Sequence, residues 1–208
     1  MSLIESLNWR YATKRMTGEK VSEDKVNQIL ESIRLAPSAY GLQPYNLLVI
    51  EDKGMLNKIY EEACPQIVIQ QCSHLIVFKA LRKIKEEVME GYIEEMVRVR
   101  DTSEEENDKF REKIQKVMDN PDINKFSWTI RQAYLGLGYA TFAAAQLRVD
   151  STPIEGFNAS KLNEVLGLDT NVEEAVVLMT LGYRDEKEDR TLAKAKVRQP
   201  AEKFICRI

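Results

Sequence analysis

The chain has 208 residues and a net charge of −3, which fits one domain and leaves no cationic surplus for general nucleic-acid binding. Apolar residues make up 44% and charged residues 30%, enough apolar mass for a sizeable core. Three cysteines with no C-x-x-C spacing and a single histidine argue against a disulfide framework or a structural zinc site, and suit a reducing compartment.

The opening stretch, MSLIESLNWRYATKR, lacks a long apolar run and carries Glu5, so it does not read as a signal peptide. Ser22 is placed to cap a helix, with Glu23 and Asp24 in its first turn. Val26, Ile29, Leu30 and Ile33 then share one helical face, up to a stop by Pro37. APSAYGLQP is a turn-rich loop. YNLLVI (Tyr45–Ile50) reads as a strand, Met55–Ala63 as a helix and HLIVFKA (His74–Ala80) as a second strand.

From Leu81 to Asn120 the composition becomes heavily charged. Ile84, Val88, Tyr92 and Met96, then Phe110, Ile114 and Val117, are spaced for two helices, with a cap in DTSEE between them. This excursion, at about 81–120, reads as solvated helices without chemistry. A long apolar helix follows, from about Asn124 to Val149. Its core, AYLGLGYATFAAA, is 13 residues, too short to span a bilayer. Gly136, Gly138, Ala140 and Ala143–Ala145 permit close backbone approach, so the helix is expected to be buried and to pack against another chain. No membrane association and a cytoplasmic location are the expectation.

In DSTPIEGF, Pro153 breaks any helix and holds Ser151 and Thr152 extended. Gly156 admits a backbone shape or a close approach that a side chain would block. Alone, the segment reads as a helix-to-helix loop. EEAVVLMTLGYR (Glu173–Arg184) holds a third strand. The tail is polar until KFICRI, which alternates like a strand and is expected to wrap a partner subunit.

Familiar catalytic devices are missing: no G-x-G-x-x-G, no P-loop and no G-x-S-x-G. His74 reads as packed or hydrogen-bonded rather than as a base, and Cys72 beside it as inert. What remains is basic pairs far apart in the chain. Arg10 and Lys14 share a face if RYATK is helical, and Lys196 and Arg198 do if KVR is extended. Each pair alone is a solvated surface pair. Converged, they would make a phosphate clamp of guanidinium forks and ammonium charge.

NWRYATKRM, LAPSAYGLQPY, PQIVIQQCSHLIVF, SWTIRQAYLGLG, DSTPIEGF, LGYR and KVRQP, in that order, resemble the FMN-dependent nitroreductase family. The likeness is to its branch of oxygen-insensitive NAD(P)H nitroreductases and dihydropteridine-reductase-like enzymes, from about Trp9 to Pro200. It implies one α+β domain over 1–208, a mostly antiparallel central sheet flanked by helices. It also implies an intertwined homodimer, with KFICRI exchanged as a C-terminal strand and FMN at the interface. Carried onto this chain, Arg10, Lys14, Lys196 and Arg198 match phosphate and ribityl contacts, and Tyr11 and Ala12 match neighbouring ones. Pro37, Ser38 and Ala39 match a loop reaching the flavin of the other subunit. Pro65 and Gln66 stand where some relatives have Asn, and Gln66 is placed to bond the pyrimidine edge. Pro153, Ile154, Glu155 and Gly156 match the segment along the ring, with a backbone N–H of Glu155 or Gly156 near flavin N5. The cofactor then carries the chemistry: NADH or NADPH gives hydride to N5, and a nitroaromatic, quinone or similar acceptor takes two electrons in a ping-pong cycle. No side chain is implied as catalytic and no metal is implied. Ala12, Ala39, Gly41 and Val68 depart from the family pattern. The alternatives are a non-catalytic FMN-binding or redox-sensing protein, and a flavin-dependent dehalogenase-type enzyme on the same fold.

Overall fold

The computed structural model describes residues 2–208. At its centre lie β1 (Tyr45–Ile50), β2 (His74–Leu81), β3 (Asp150–Ile154) and β4 (Glu173–Gly182), in the order β1-β2-β4-β3 with every neighbour antiparallel. Side chains alternate across a strand, so the unbroken apolar run of β2 must bury both of its faces. Leu75 and Val77 join Leu178 on one face, packed by Leu56 and Ile59 of α3 (Lys53–Glu62), Ile69 of α4 (Val68–Gln71) and Leu162 of α8 (Ala159–Leu166). Ile76 and Phe78 join Val177 and Met179 on the other. There they are packed by Ile29 and Ile33 of α2 (Glu23–Arg34) and by Ala133, Leu137 and Ala140 of α7 (Lys125–Gln146). Each fully buried Leu, Ile or Phe stabilises by about 1.5–3 kcal/mol, so this helix–sheet–helix stack is the chief source of stability.

Pro153 sits in β3, an edge strand, where a missing ladder donor is tolerated. The extended peptide expected around it is therefore a fourth strand. Ser22 takes the N-cap position of α2 but its side chain makes no capping bond. Such bonds are made at Asp52, Asn124 and Asn158.

The charged excursion is a helical pair, α5 (Glu86–Arg100) and α6 (Glu104–Asp119), with the expected cap at Ser103. Arg111 of α6 ties the pair together through Glu90 of α5, and also pairs with Glu104 and Asp108 of its own helix. The inner side is not solvated: Ile114 packs with Leu42 and with Trp128 at the start of α7, and Tyr92 stacks on Phe110 at 5.1 Å.

Two local expectations give way. First, α1 (Leu3–Trp9) ends before the basic pair, and Arg10 is extended at ψ 140°, so Arg10 and Lys14 share no helical face. Second, Lys203–Ile208 is not a strand. Ala201–Phe204 form a short helix, α9, and the residues beyond it join no strand among the described residues of this single chain. Of the small residues of α7, Gly136, Ala140, Ala144 and Ala145 are buried in this chain's own core. A Cβ on Gly136 would meet the Tyr45 hydroxyl at 2.5 Å. The other side of α7 leaves Leu135, Gly138 and Tyr139 exposed.

Candidate functional site: a cationic cleft beside the edge strand

The segment after α1 runs along the sheet edge. Ala12 bridges Ser151 in parallel and Met16 bridges Arg184. Thr152 Oγ1 donates to the Thr13 carbonyl at 2.6 Å, and Thr13 Oγ1 to Asp150 at 3.2 Å. Asp150, 3% exposed, also accepts from the Arg184 backbone N–H at 2.8 Å and from its guanidinium Nε at 2.9 Å. That guanidinium lies 4.2 Å from the Trp9 ring centre and 4.7 Å from that of Tyr11, a cation–π stack. The consequence is positional: RYATK is fastened alongside the strand that leads into Pro153–Gly156.

The tail returns to the same place. Asp189 accepts from the Lys14 N–H at 2.8 Å, the Thr191 N–H at 2.9 Å and the Tyr11 hydroxyl at 3.0 Å. Burial opposes the Asp189 charge, but these donors outweigh it and hold the carboxyl below its ordinary range. Burial first, then Asp189, pushes the Tyr11 phenol up to about 12. Lys196 donates to the carbonyls of Leu7, Asn8 (3.3 Å) and Arg10 (2.6 Å). It thereby satisfies carbonyls that the end of α1 leaves unpaired. Together these contacts shape a cleft of about 390 Å³ lined by Trp9, Arg10, Tyr11, Ala12, Lys196 and Arg198, among others.

Among the described residues no carboxylate lines this cleft; Asp150 and Asp189 bond to its lining residues Arg184 and Tyr11. Arg10 Nε is buried and has no hydrogen-bond partner. Burial and then Arg198 lower the Arg10 pKa; burial, then Arg10 and Arg198, lower that of Lys196. Crowded like charges and an orphaned buried donor are costly unless an anion completes them. A phosphate, with its several acceptor oxygens, suits guanidinium forks.

Pro153 and Ile154 lie in β3, and the chain turns just past it through a bond from the Phe157 N–H to the Glu155 carbonyl at 2.9 Å. The Gly156 carbonyl accepts from Gln66 Nε2 at 3.1 Å, so Gln66 holds this turn. Glu155 accepts from the Tyr134 hydroxyl of α7. Gly156 does not have a positive φ, and a Cβ there would meet only Gln66 Nε2 at an ordinary 3.5 Å. Neither backbone shape nor packing inside the chain therefore calls for glycine at this position. The Gly156 N–H donates to no acceptor among the described residues.

Arg10, Tyr11, Ala12, Lys196 and Arg198 are thus brought together, with Lys14 tied to them through its backbone. Pro37, Ser38 and Ala39 are not among the residues lining the cleft. The Ala39 N–H donates to Gln132 Oε1 at 2.8 Å and Ser38 Oγ accepts from the Gln43 N–H at 2.9 Å, next to the excursion. His74 is 4% exposed and bonded to Ser73 at 2.8 Å, while the Cys72 thiol turns to the Ile69 carbonyl, so the two form no pair. Sequence reasoning missed Asp189, hidden in the charge run DEKEDR, and Tyr134, hidden in an apolar run.

Comparison with known proteins agrees with this geometry. The family model described as Nitroreductase family matches residues 7–183. A Staphylococcus saprophyticus protein provisionally named an NAD(P)H nitroreductase is 31% identical, covering 98% of this chain and 95% of its own. The Aliivibrio fischeri protein named major NAD(P)H-flavin oxidoreductase is 28% identical over 98% of this chain and 97% of its own. Among solved structures, an Exiguobacterium sibiricum protein in complex with FMN superposes with a TM-score of 0.85 at 21% identity, covering 100% of this chain and 98% of that one.

Proposed function

The chain belongs to the nitroreductase family, and on that premise we propose that it is an FMN-dependent NAD(P)H oxidoreductase reducing nitroaromatics, quinones or related electron-poor acceptors. The observation that carries the cofactor assignment is the buried Arg10 Nε, without a partner among the described residues, in a cleft whose lining holds Arg10, Lys196 and Arg198 and no carboxylate. The A. fischeri relative's name and the FMN in the E. sibiricum structure support the same reading.

In this assignment Arg10 and Arg198 take the FMN phosphate as forked donors. Lys196 spends its hydrogen bonds on the carbonyls after α1, so it adds charge and holds Arg10 in place. Tyr11 and Ala12 form the adjacent wall, and Lys14 adds a cation whose ammonium has no ion-pair partner among the described residues. Pro153–Gly156 lie along the ring, Gln66 steadies the Gly156 carbonyl, and the free Gly156 N–H is the donor offered to the ring. When bound, FMN supplies the two-electron transfer between a nicotinamide donor and the acceptor. Hence the protein needs no catalytic side chain, only position, charge and exclusion of water.

The working unit is proposed to be a homodimer of 1–208 domains in the cytoplasm. Leu3, Ile4 and Leu7 of α1, Leu135 and Tyr139 of α7, and Val197, Phe204 and Ile205 of the tail are exposed apolar groups that a second copy would cover. The partner's Pro37–Ala39 loop would then complete the ring site. No helix among the described residues is long and apolar enough to cross a membrane.

The test is anaerobic. FMN-loaded protein should bleach with NADH or NADPH and recover its colour with a quinone or a nitroaromatic. Bound FMN that neither nicotinamide bleaches would favour the passive flavin-binding or sensing alternative instead.

A further inference from the structure

The Glu155 carboxylate is exposed, just past the end of β3, beside the peptide assigned to the flavin ring. No Lys, Arg or His pairs with it among the described residues. Its one protein partner is the phenol of Tyr134, which donates to Glu155 Oε1. Tyr134 is half-buried and packs against the core cluster that α7 and α2 form on the sheet. Burial, then Glu155 itself, raises the phenol's pKa, so it stays a donor throughout the working pH range. The same turn is held from the opposite side by Gln66 Nε2 on the Gly156 carbonyl at 3.1 Å and by the Asn158 N–H on the Ala63 carbonyl at 2.8 Å. A charge this firmly placed acts on whatever lies beside the turn.

We propose that Tyr134 is a positioning residue that disperses and fixes the Glu155 charge, and that the Tyr134–Glu155 pair sets the reduction potential of the bound flavin and hence the range of acceptors it can reduce. This rests on the FMN reading above. The physical reason is electrostatic. Reduction adds electron density to the ring, and a nearby carboxylate raises the energy of that state. A phenol hydrogen-bonded to the carboxylate draws off part of its charge and holds it at a fixed distance. Charge on Glu155 therefore lowers the potential, and the Tyr134 bond limits how far.

The experiment measures the midpoint potential of bound FMN, by equilibration with reference dyes, in wild type, Tyr134→Phe, Glu155→Gln and the double variant. Tyr134→Phe is expected to shift the potential to more negative values. Glu155→Gln is expected to shift it to more positive values, and the double variant should match Glu155→Gln alone, because without the carboxylate the phenol has no charge to disperse. A Tyr134→Phe shift of the same size in both backgrounds, or no shift on Glu155→Gln, overturns the proposal. If Tyr134→Phe does not fold, Glu155→Gln at its exposed position still tests whether this charge sets the potential, and no shift there overturns the proposal. Wild-type protein that binds no FMN would sink the underlying reading and the proposal with it, whereas FMN bound with unchanged potentials sinks the proposal alone.

Discussion

Gly156 has room for a methyl group and a backbone that does not require glycine. Gly156→Ala should therefore leave the unfolding free energy within about 0.5 kcal/mol of wild type, or raise it slightly. FMN affinity should nevertheless fall by roughly tenfold or more, because the added methyl occupies the approach of the ring. Equal FMN dissociation constants would place the ring elsewhere. The same titration separates contact from proximity. Arg198→Ala should weaken FMN by about 10–100-fold through loss of charge-assisted bonds, while Glu155→Gln should change it by less than about threefold. His74 offers a residue-scale test of stability. Desolvation lowers its pKa from 6.5, with Glu51, Lys20, Lys53 and Glu23 as the facing charges. A depressed folded pKa means that the folded state resists protonation, so the stability is fully present above pH 6.5 and is lost as pH falls through the folded pKa. Urea unfolding between pH 7.5 and pH 5 should show that loss in wild type and a smaller one in His74→Gln.

At the scale of elements, Asp150 is the knot between β3, the end of β4 and the segment that presents Arg10. It is buried and holds Arg184 and Thr13 together. Asp150→Asn would leave a nearly buried guanidinium without its counter-charge, at a cost of about 3–5 kcal/mol. Thermal unfolding should show a large drop, and hydrogen exchange should show residues 10–17 opening; a wild-type melting curve would contradict this role. Elements with a strong pattern were legible in advance. YNLLVI, HLIVFKA and EEAVVLMTLG became strands through their short runs of apolar residues, several of them β-branched, and in the central strands β2 and β4 these runs are buried on both faces. Pro153 obscured β3, since only its place at the sheet edge makes a proline acceptable there. Arg10 and Lys14 were assigned a helical period, but α1 stops at Trp9 and the segment takes its shape from the sheet edge, a tertiary effect no local rule contains. The clamp's membership could be read only through family resemblance, and Asp189, which ties its two halves together, carries no local signal at all.

At the scale of the molecule, two cores are complete within one chain, yet the tail is not. Val197 is 84% exposed and Phe204 76%, a cost that a second copy would remove. The alternation in KFICRI suggested a strand, and within one chain these residues find no ladder to join. Light scattering should give twice the single-chain mass, and removal of residues 199–208 should shift the protein to monomer and release FMN; a dimer that survives the truncation would locate the interface on α1 and α7 alone. The central claim is that the cleft at Arg10 is a flavin-phosphate site. The most direct measurement is the visible spectrum of purified protein incubated with FMN and then desalted. The account predicts retained flavin bands at one FMN per chain, lost in Arg198→Ala. A colourless wild-type protein would contradict it.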